Sequence, residues 1–256
     1  MFTVRVLGCW GAYPAPGEAT SGYLLEIDGD KILVDCGSGV LSKLFEVCPI
    51  EDLRAVILSH HHYDHAADLG VLFHAVLLAR MSGTRTRSLP IFMPEAEGKI
   101  LEDLQEEPLI DLHIIGDRDQ VRIGGNEGLN AGEPLTVEFR RTKHPIPCFG
   151  MVIRHEGHTL AYSADSAFSP DLIDLARAAD LFICEASLYN HQADVAISAG
   201  HCTAGQAGEA ARLAGARRLA LTHFPQYASL RELREQAHST FGKKVEMASV
   251  RAVWTV

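Results

Sequence analysis

The 256-residue chain has no apolar run near the roughly 20 residues that a membrane-spanning helix needs, so no membrane partner is expected. Its opening residues, Met1-Phe2-Thr3-Val4-Arg5-Val6-Leu7-Gly8, alternate like a strand and run into a turn. They lack the apolar core of a secretory signal, and a cytoplasmic location is expected. Its 6 cysteines (Cys9, Cys36, Cys48, Cys148, Cys184, Cys202) form no CxxC pair. They lie in or beside apolar segments, as small buried hydrophobes do, and a disulfide framework is not expected. Positive charge is also scarce: 23 Lys and Arg stand against 33 Asp and Glu, for a net charge of −10. That balance argues against a broadly basic surface tracking nucleic acid over many phosphates, though not against a local positive pocket. The glycine-rich stretch Gly124-Gly125-Asn126-Glu127-Gly128 lacks the GK[ST] of a phosphate loop, so no nucleotide role is assigned to it. Low-complexity linkers and strong internal repeats are absent too.

What remains is a globular composition, 47% hydrophobic and 22% charged. Strand patterns at 2–7, 23–28 and 31–34 come first, followed by a helix near 40–47. A strand at 55–58, a helix over 66–81, strands at 89–93 and 111–115 and a short helix near 95–105 come next. Strands at 135–140, 150–155 and 159–163 open a second series, with a helix at 171–178, a strand at 181–184 and a small-residue loop over 186–200. Thr203-Ala204-Gly205-Gln206 has capping-box spacing before an Ala-rich helix. A strand at 218–222, a helix at 229–239 and strands at 244–248 and 250–255 close the chain. Antiparallel hairpins followed by alternating strands and helices, twice over, predict one α/β domain over 1–256, with two packed sheets and helices outside.

Chemistry concentrates where these strands end. Leu58-Ser59-His60-His61-His62-Tyr63-Asp64-His65 follows the buried strand Ala55-Val56-Ile57-Leu58 and precedes a helix. Alternation sends His60 and His62 toward one point, while Asp64 and His65, on the turn into the helix, face a second point close by. His61 is out of phase and is read as no ligand. His144, Asp165 and His223 follow later strands. Together these residues fill two zinc sites: His60, His62 and His144 at one, Asp64, His65 and His223 at the other, with Asp165 between. Manganese or iron would suit the same donors.

His60-x-His62-x-Asp64-His65 resembles the signature of the metallo-β-lactamase superfamily, and His144, Asp165 and His223 resemble its later metal motifs in order. Asp35, in Val34-Asp35-Cys36-Gly37-Ser38-Gly39, resembles the family's early aspartate, which orients a metal ligand. Glu185-Ala186-Ser187, His201-Cys202-Thr203 and Leu221-Thr222-His223-Phe224 are most similar to the ribonuclease Z-like phosphodiesterases. The resemblance implies an αββα four-layer sandwich of two mixed sheets, two zinc ions, a homodimer and hydrolysis of phosphodiesters. It also implies that His201 protonates the leaving oxygen, where the plainer reading is a hydrogen-bonding residue before a helix cap. The expected catalytic set adds Asp64, to orient the attacking water, and Glu185, which either orients His201 or merely ends a strand.

Two departures bear on substrate. The tRNA-processing members carry a long arm between the third-motif histidine and the bridging aspartate. Here that interval is 165 − 144 = 21 residues. Those members usually continue past the last histidine with serine and arginine, and this chain reads Phe224-Pro225-Gln226-Tyr227. Small or cyclic phosphodiesters are therefore favoured over RNA 3′ ends and tRNA processing. The rival readings are a thioester or lactone hydrolase of the same superfamily and a metal-bearing binding protein without turnover.

Several other residues carry two readings each. Asp68 supports a ligand histidine or charges a helix N-terminus. Arg80, Arg85 and Arg87, with Arg140, Arg141 and Lys143, touch flanking phosphates or are simply solvated. Trp10 and Tyr13 stack a base or pack a loop. His74, His113, His155, His158, His191 and His238 lack ligand spacing and are read as surface or core residues.

Overall fold

The computed structural model describes residues 1–95, 99–124 and 133–256. In chain order it contains β1 (Phe2–Gly8), β2 (Gly22–Ile27), β3 (Asp30–Val34), α1 (Val40–Leu44), β4 (Leu53–Ile57), α2 (Tyr63–Ala66), α3 (Leu69–Ser82), β5 (Leu89–Pro94), α4 (Lys99–Glu106) and β6 (Ile110–Ile115). Then come β7 (Gln120–Ile123), β8 (Leu135–Arg141), β9 (Phe149–His155), β10 (His158–Tyr162), α5 (Pro170–Leu175), β11 (Leu181–Glu185), α6 (Ala193–Ala199) and α7 (Ala204–Ala214). The chain ends with β12 (Arg218–Thr222), α8 (Leu230–Phe241), β13 (Val245–Met247) and β14 (Val253–Thr255). It divides into two compact units, residues 1–115 with 249–255, and residues 116–248 with 256.

The first unit holds a seven-stranded sheet in the order β14-β1-β2-β3-β4-β5-β6. From β14 to β3 the neighbours are antiparallel; from β3 to β6 they are parallel. The inner parallel strands β4 and β5 are mostly apolar and buried, as strands covered on two sides must be, while edge strand β6 is exposed at Asp111, His113 and Ile114. Leu24, Leu33, Val56 and Ile91 meet Val40, Leu41 and Leu44 of α1 and Leu69, Leu72 and Val76 of α3 in one cluster.

The second unit holds the other seven-stranded sheet, β13-β12-β11-β10-β9-β8-β7. Pairing is parallel from β13 to β10 and antiparallel from β10 to β7. Each sheet is therefore mixed, and each changes from antiparallel to parallel at one strand, β3 or β10. The carboxyl ends of such strands are where open α/β sheets place their chemistry. No helix among the described residues is long and apolar enough to cross a membrane.

Four sequence expectations shift. The stretch 186–200 is not all loop: a 3₁₀ turn at Asn190–Gln192 leads into α6, which Gly200 ends in the left-handed conformation. The helix expected over 66–81 is two helices, because Asp68, which caps α3, separates α2 from it. Asp68 takes the second position weighed for it, a charge at the N-terminus of α3, and its carboxylate also accepts the Leu41 amide at 3.0 Å, which ties α1 to α3. Edge strand β7 was not expected. The last two strands are shorter than expected, at Val245–Met247 and Val253–Thr255. The Thr203 capping box forms as expected, with Thr203 and Gln206 each accepting the other's amide. Gly125, Asn126, Glu127 and Gly128 lie outside the described residues, as do residues 96–98 of the helix expected near 95–105.

Candidate metal centre

In the first unit the donors converge on one buried carboxylate. Asp35 follows β3, is fully buried, and holds a left-handed backbone (φ 59°) that turns the chain sharply at the strand end. Its Oδ1 accepts the Ser59 amide at 2.8 Å. Its Oδ2 accepts the Ser59 hydroxyl at 3.0 Å and His65 Nδ1 at 2.8 Å. A carboxylate only accepts, so Nδ1 of His65 carries the proton and the lone pair lies on Nε2. That Nε2 is 3.9 Å from Asp64 Oδ2. The same Oδ2 accepts the Ala12 amide at 2.7 Å, which fixes Asp64 from the β1–β2 loop. His60 Nδ1 meets the Ser59 hydroxyl at 3.0 Å, and its Nε2 approaches His62 Nδ1 at 3.2 Å. The expected group His60, His62, Asp64 and His65 thus comes together within one unit. His61 turns away and meets the Pro94 carbonyl at 2.8 Å, as its phase implied.

Close backbone packing holds this group in place. The Cys36 amide donates to the His65 carbonyl at 2.7 Å, and the Ser21 amide to the Asp64 carbonyl at 3.0 Å. Gly37 lies so near that a Cβ there would stand 2.1 Å from the Asp64 carbonyl oxygen.

The second unit repeats the plan. Glu185 ends β11 and is fully buried. Its Oε1 accepts the Ser166 amide at 2.6 Å, and His201 Nδ1 lies 3.1 and 3.2 Å from its two oxygens. Its Oε2 accepts the Ser187 hydroxyl at 2.5 Å, and that hydroxyl meets His223 Nδ1 at 2.8 Å. His223 follows β12 with a left-handed backbone (φ 58°), and Ala164, just before Asp165, has φ 49°. His144 follows β8, and its Nδ1 meets the Gly200 carbonyl at 3.0 Å. Asp165 stands 3.9 Å from His144 Nε2 and 3.4 Å from His223 Nε2. Ligand atoms of Asp165, His201 and His223 all lie within 4.8 Å of one another. Every second-unit residue expected to act is therefore in one cluster. Glu185 both ends β11 and contacts His201 directly.

Ser59, Ser187, the Gly200 carbonyl and the Ala12 amide were not foreseen. A hydroxyl or main-chain group leaves no spacing that marks it. All 6 cysteines are buried and free, and burial pushes Cys9 up to about 12, with Glu18 adding to the rise. Cys36 is pushed well above its usual range by burial, then by Asp68 and Asp35. Cys202 is pushed well up by its hydrogen bond with Cys184, then by burial.

Most of the basic residues are structural. Arg85 is buried and donates to the carbonyls of Ile50, Leu53 and Ser88 at 2.6 to 3.0 Å. Arg80 pairs with Glu107, and Arg87 donates to the carbonyls of Glu51 and Asp52. Arg140 pairs with Glu138 and Asp174. Arg141 and Lys143 are exposed and line a cavity of about 330 Å³. Trp10 hydrogen-bonds Glu18 through its indole nitrogen, which is loop packing, while Tyr13 is exposed. Among the other histidines, His113 stacks on Phe92, His191 stacks on Tyr189, and His238 meets the Lys243 carbonyl.

Comparison with known proteins agrees with this layout. Residues 30–224 match the family described as the beta-lactamase superfamily domain, a span that takes in parts of both units. The chain is 39% identical over 251 residues to the probable metallo-hydrolase YhfI of Bacillus subtilis, covering 98% of each chain. The crystal structure of YhfI superposes with a TM-score of 0.89, at 37% identity over 99% of this chain and 98% of that one. The ribonuclease Z of Methanopyrus kandleri is 29% identical over 266 residues, covering 93% of this chain and 92% of its own. Human tRNase Z, short form, shares the fold with a TM-score of 0.73 at 24% identity, over 99% of this chain and 98% of that one. The two mixed seven-stranded sheets are thus the expected metallo-β-lactamase fold, and the chain belongs to the beta-lactamase superfamily as a relative of ribonuclease Z.

Proposed function

We propose that the protein is a dinuclear metal-dependent hydrolase of phosphodiesters, working as one domain over 1–256. His60, His62 and His144 would hold one ion, Asp64, His65 and His223 the other, with Asp165 shared. The donor set fits: imidazole and carboxylate without thiolate suit zinc, and equally manganese or iron. The protonated Nδ1 of His65, held by Asp35, presents the Nε2 lone pair that a metal needs. Divalent ions held there would supply an acidified water and offset charge on the phosphoryl oxygens.

The chain's own residues supply the rest. Asp64, with Oδ2 fixed by the Ala12 amide, orients the attacking water. His201 delivers a proton to the departing oxygen, and Glu185 holds its ring for that transfer. The observation that carries the reading is His201, paired with Glu185 and with a ring nitrogen within 4.8 Å of ligand atoms of Asp165 and His223. A structural metal site has no need of a proton donor there.

Between His144 and Asp165 the chain makes only a short loop and the β9–β10 hairpin, which supports small or cyclic phosphodiesters over tRNA. A homodimer is part of the reading, and the exposed Val71, Leu78 and Met81 of α3 offer apolar surface for one. Metal analysis followed by a panel of bis(p-nitrophenyl) phosphate, cyclic nucleotides, dinucleotides and a 3′-extended tRNA tests the function. Light scattering tests the dimer. Turnover of a glutathione thioester or a lactone in place of every phosphodiester would overturn the reading.

A further inference from the structure

The two units build the same proton arrangement from unrelated stretches of chain. In each, a fully buried carboxylate takes one histidine directly and a second through a serine hydroxyl. In the first unit Asp35 takes His65 directly and His60 through Ser59. In the second, Glu185 takes His201 directly and His223 through Ser187. Both carboxylates also accept a main-chain amide, from Ser59 or Ser166.

Proton counting decides what Ser187 does. A hydroxyl has one hydrogen to donate. A buried ionised carboxylate accepts and cannot donate, and charge-assisted bonds are the stronger ones. The 2.5 Å bond to Glu185 therefore takes the Ser187 hydrogen. At 2.8 Å from His223 Nδ1 the Ser187 oxygen can then only accept, so Nδ1 of His223 carries the proton. The lone pair of that ring lies on Nε2, the nitrogen 3.4 Å from Asp165.

We propose that Ser187 is a positioning residue: it fixes His223 in the metal-binding tautomer and passes the charge of Glu185 to it, so one carboxylate governs both His201 and His223. The inference rests on His223 being a ligand, as proposed above. The charge of Glu185 reaches the His223 ring through the Ser187 hydroxyl. Ser59 stands in the matching place between Asp35 and His60.

The test is zinc affinity, measured by competition with a chromophoric chelator, together with long-range ¹H–¹⁵N spectra of the histidine rings. Ser187→Ala is expected to weaken one of the two zinc sites about 10- to 100-fold, the usual effect of removing a ligand's outer partner. Ser187→Thr keeps the hydroxyl and is expected to restore affinity, which separates this role from loss of packing. Glu185→Gln should weaken the same site about 10-fold in the parent and add nothing in the Ser187→Ala background, because the path is already cut. The His223 ring should show protonated Nδ1 in the parent and a mixture of tautomers in Ser187→Ala. Parent affinity in Ser187→Ala, or losses for the two variants that multiply, would overturn the relay. A parent protein that binds no zinc would overturn the ligand assignment instead, and the ring spectra, which need no metal, would still decide the tautomer.

Discussion

Adding one methyl group at Gly37 should dismantle half of the donor set without touching a donor. The Cβ of Gly37→Ala would stand 2.1 Å from the Asp64 carbonyl oxygen, 2.3 Å from Thr20 Oγ1 and 2.8 Å from the Asp64 carbonyl carbon. Ordinary contact with a carbonyl begins more than an ångström further out, and two of these obstacles are backbone. Asp64 and His65 cannot yield separately, because the Ser21 and Cys36 amides hold their carbonyls at 3.0 and 2.7 Å. The segment must move as a unit, by about 1 Å, and a displacement of that size is what active-site geometry tolerates least. Overpacking of this kind costs about 1 to 3 kcal/mol. For a chain of this size that is a fall in Tm of roughly 2–12 °C. Zinc affinity should fall by at least the 10- to 100-fold of a lost outer partner. Gly116→Ala is the control: its Cβ would meet only the Asp119 carboxylate, at 3.4 Å. Thermal unfolding and chelator competition on both variants give the answer. Parent-like Tm and zinc affinity in Gly37→Ala would refute the packing around Asp64 described here.

Further outcomes follow from the same geometry. Asp35→Asn keeps a residue that tolerates φ 59° but loses the acceptor for His65 Nδ1, so zinc affinity should fall about 10- to 100-fold with the fold retained, as read by chelator competition and circular dichroism. His201→Ala should lower turnover about 10²- to 10⁴-fold on diesters with poor leaving groups and little on bis(p-nitrophenyl) phosphate, with zinc content unchanged; equal losses on both would remove the acid role. Asp165→Ala should lose metal, and a variant holding two ions by elemental analysis would end its assignment as the shared ligand. Cys9 gives a pH dependence. Unfolded, its thiol ionises near 9.0; folded, it does so near 12, so above 9.0 the unfolded state releases a proton that the folded state keeps. Stability then falls as pH rises through that window, by up to about 1.4 kcal/mol per pH unit from this thiol, and the difference in urea midpoint between pH 8 and 10 should shrink in Cys9→Ala.

Much of the candidate site was legible because metal chemistry admits few residue types. His60 and His62 could be read from strand phase, Asp64 and His65 from the turn into the helix that follows, and His61 was set aside by its phase. His144, Asp165 and His223 gained meaning from following strands. Charge, by contrast, says nothing of burial. Arg85 read in the sequence as a phosphate contact or a solvated charge, yet it is buried and binds main-chain carbonyls inside the first unit. Helix α6 was missed because Ala193–Ala199 is short and carries β-branched Val195 and Ile197, so a residue-by-residue preference for helix hardly registers there. The stop at Gly200 was its one readable mark. Ser59 and Ser187 were invisible as partners, because a serine acquires its role only from the two groups that fold against it.

The left-handed residues at the strand ends carry a consequence for engineering. Asp35, Ala164 and His223 adopt a backbone that costs a non-glycine residue about 1 to 2 kcal/mol. Glycine at Ala164 would remove that cost but add chain freedom in the unfolded state of similar size, so stability alone gives no reason to prefer either residue. The difference lies in rigidity. Alanine restricts how the loop can move, and the direction in which Asp165 arrives is set by the main chain before any ion binds. A screen that ranks variants by melting temperature would pass Ala164→Gly as harmless, while the pre-organisation of the adjoining carboxylate would be lost without any change in melting temperature.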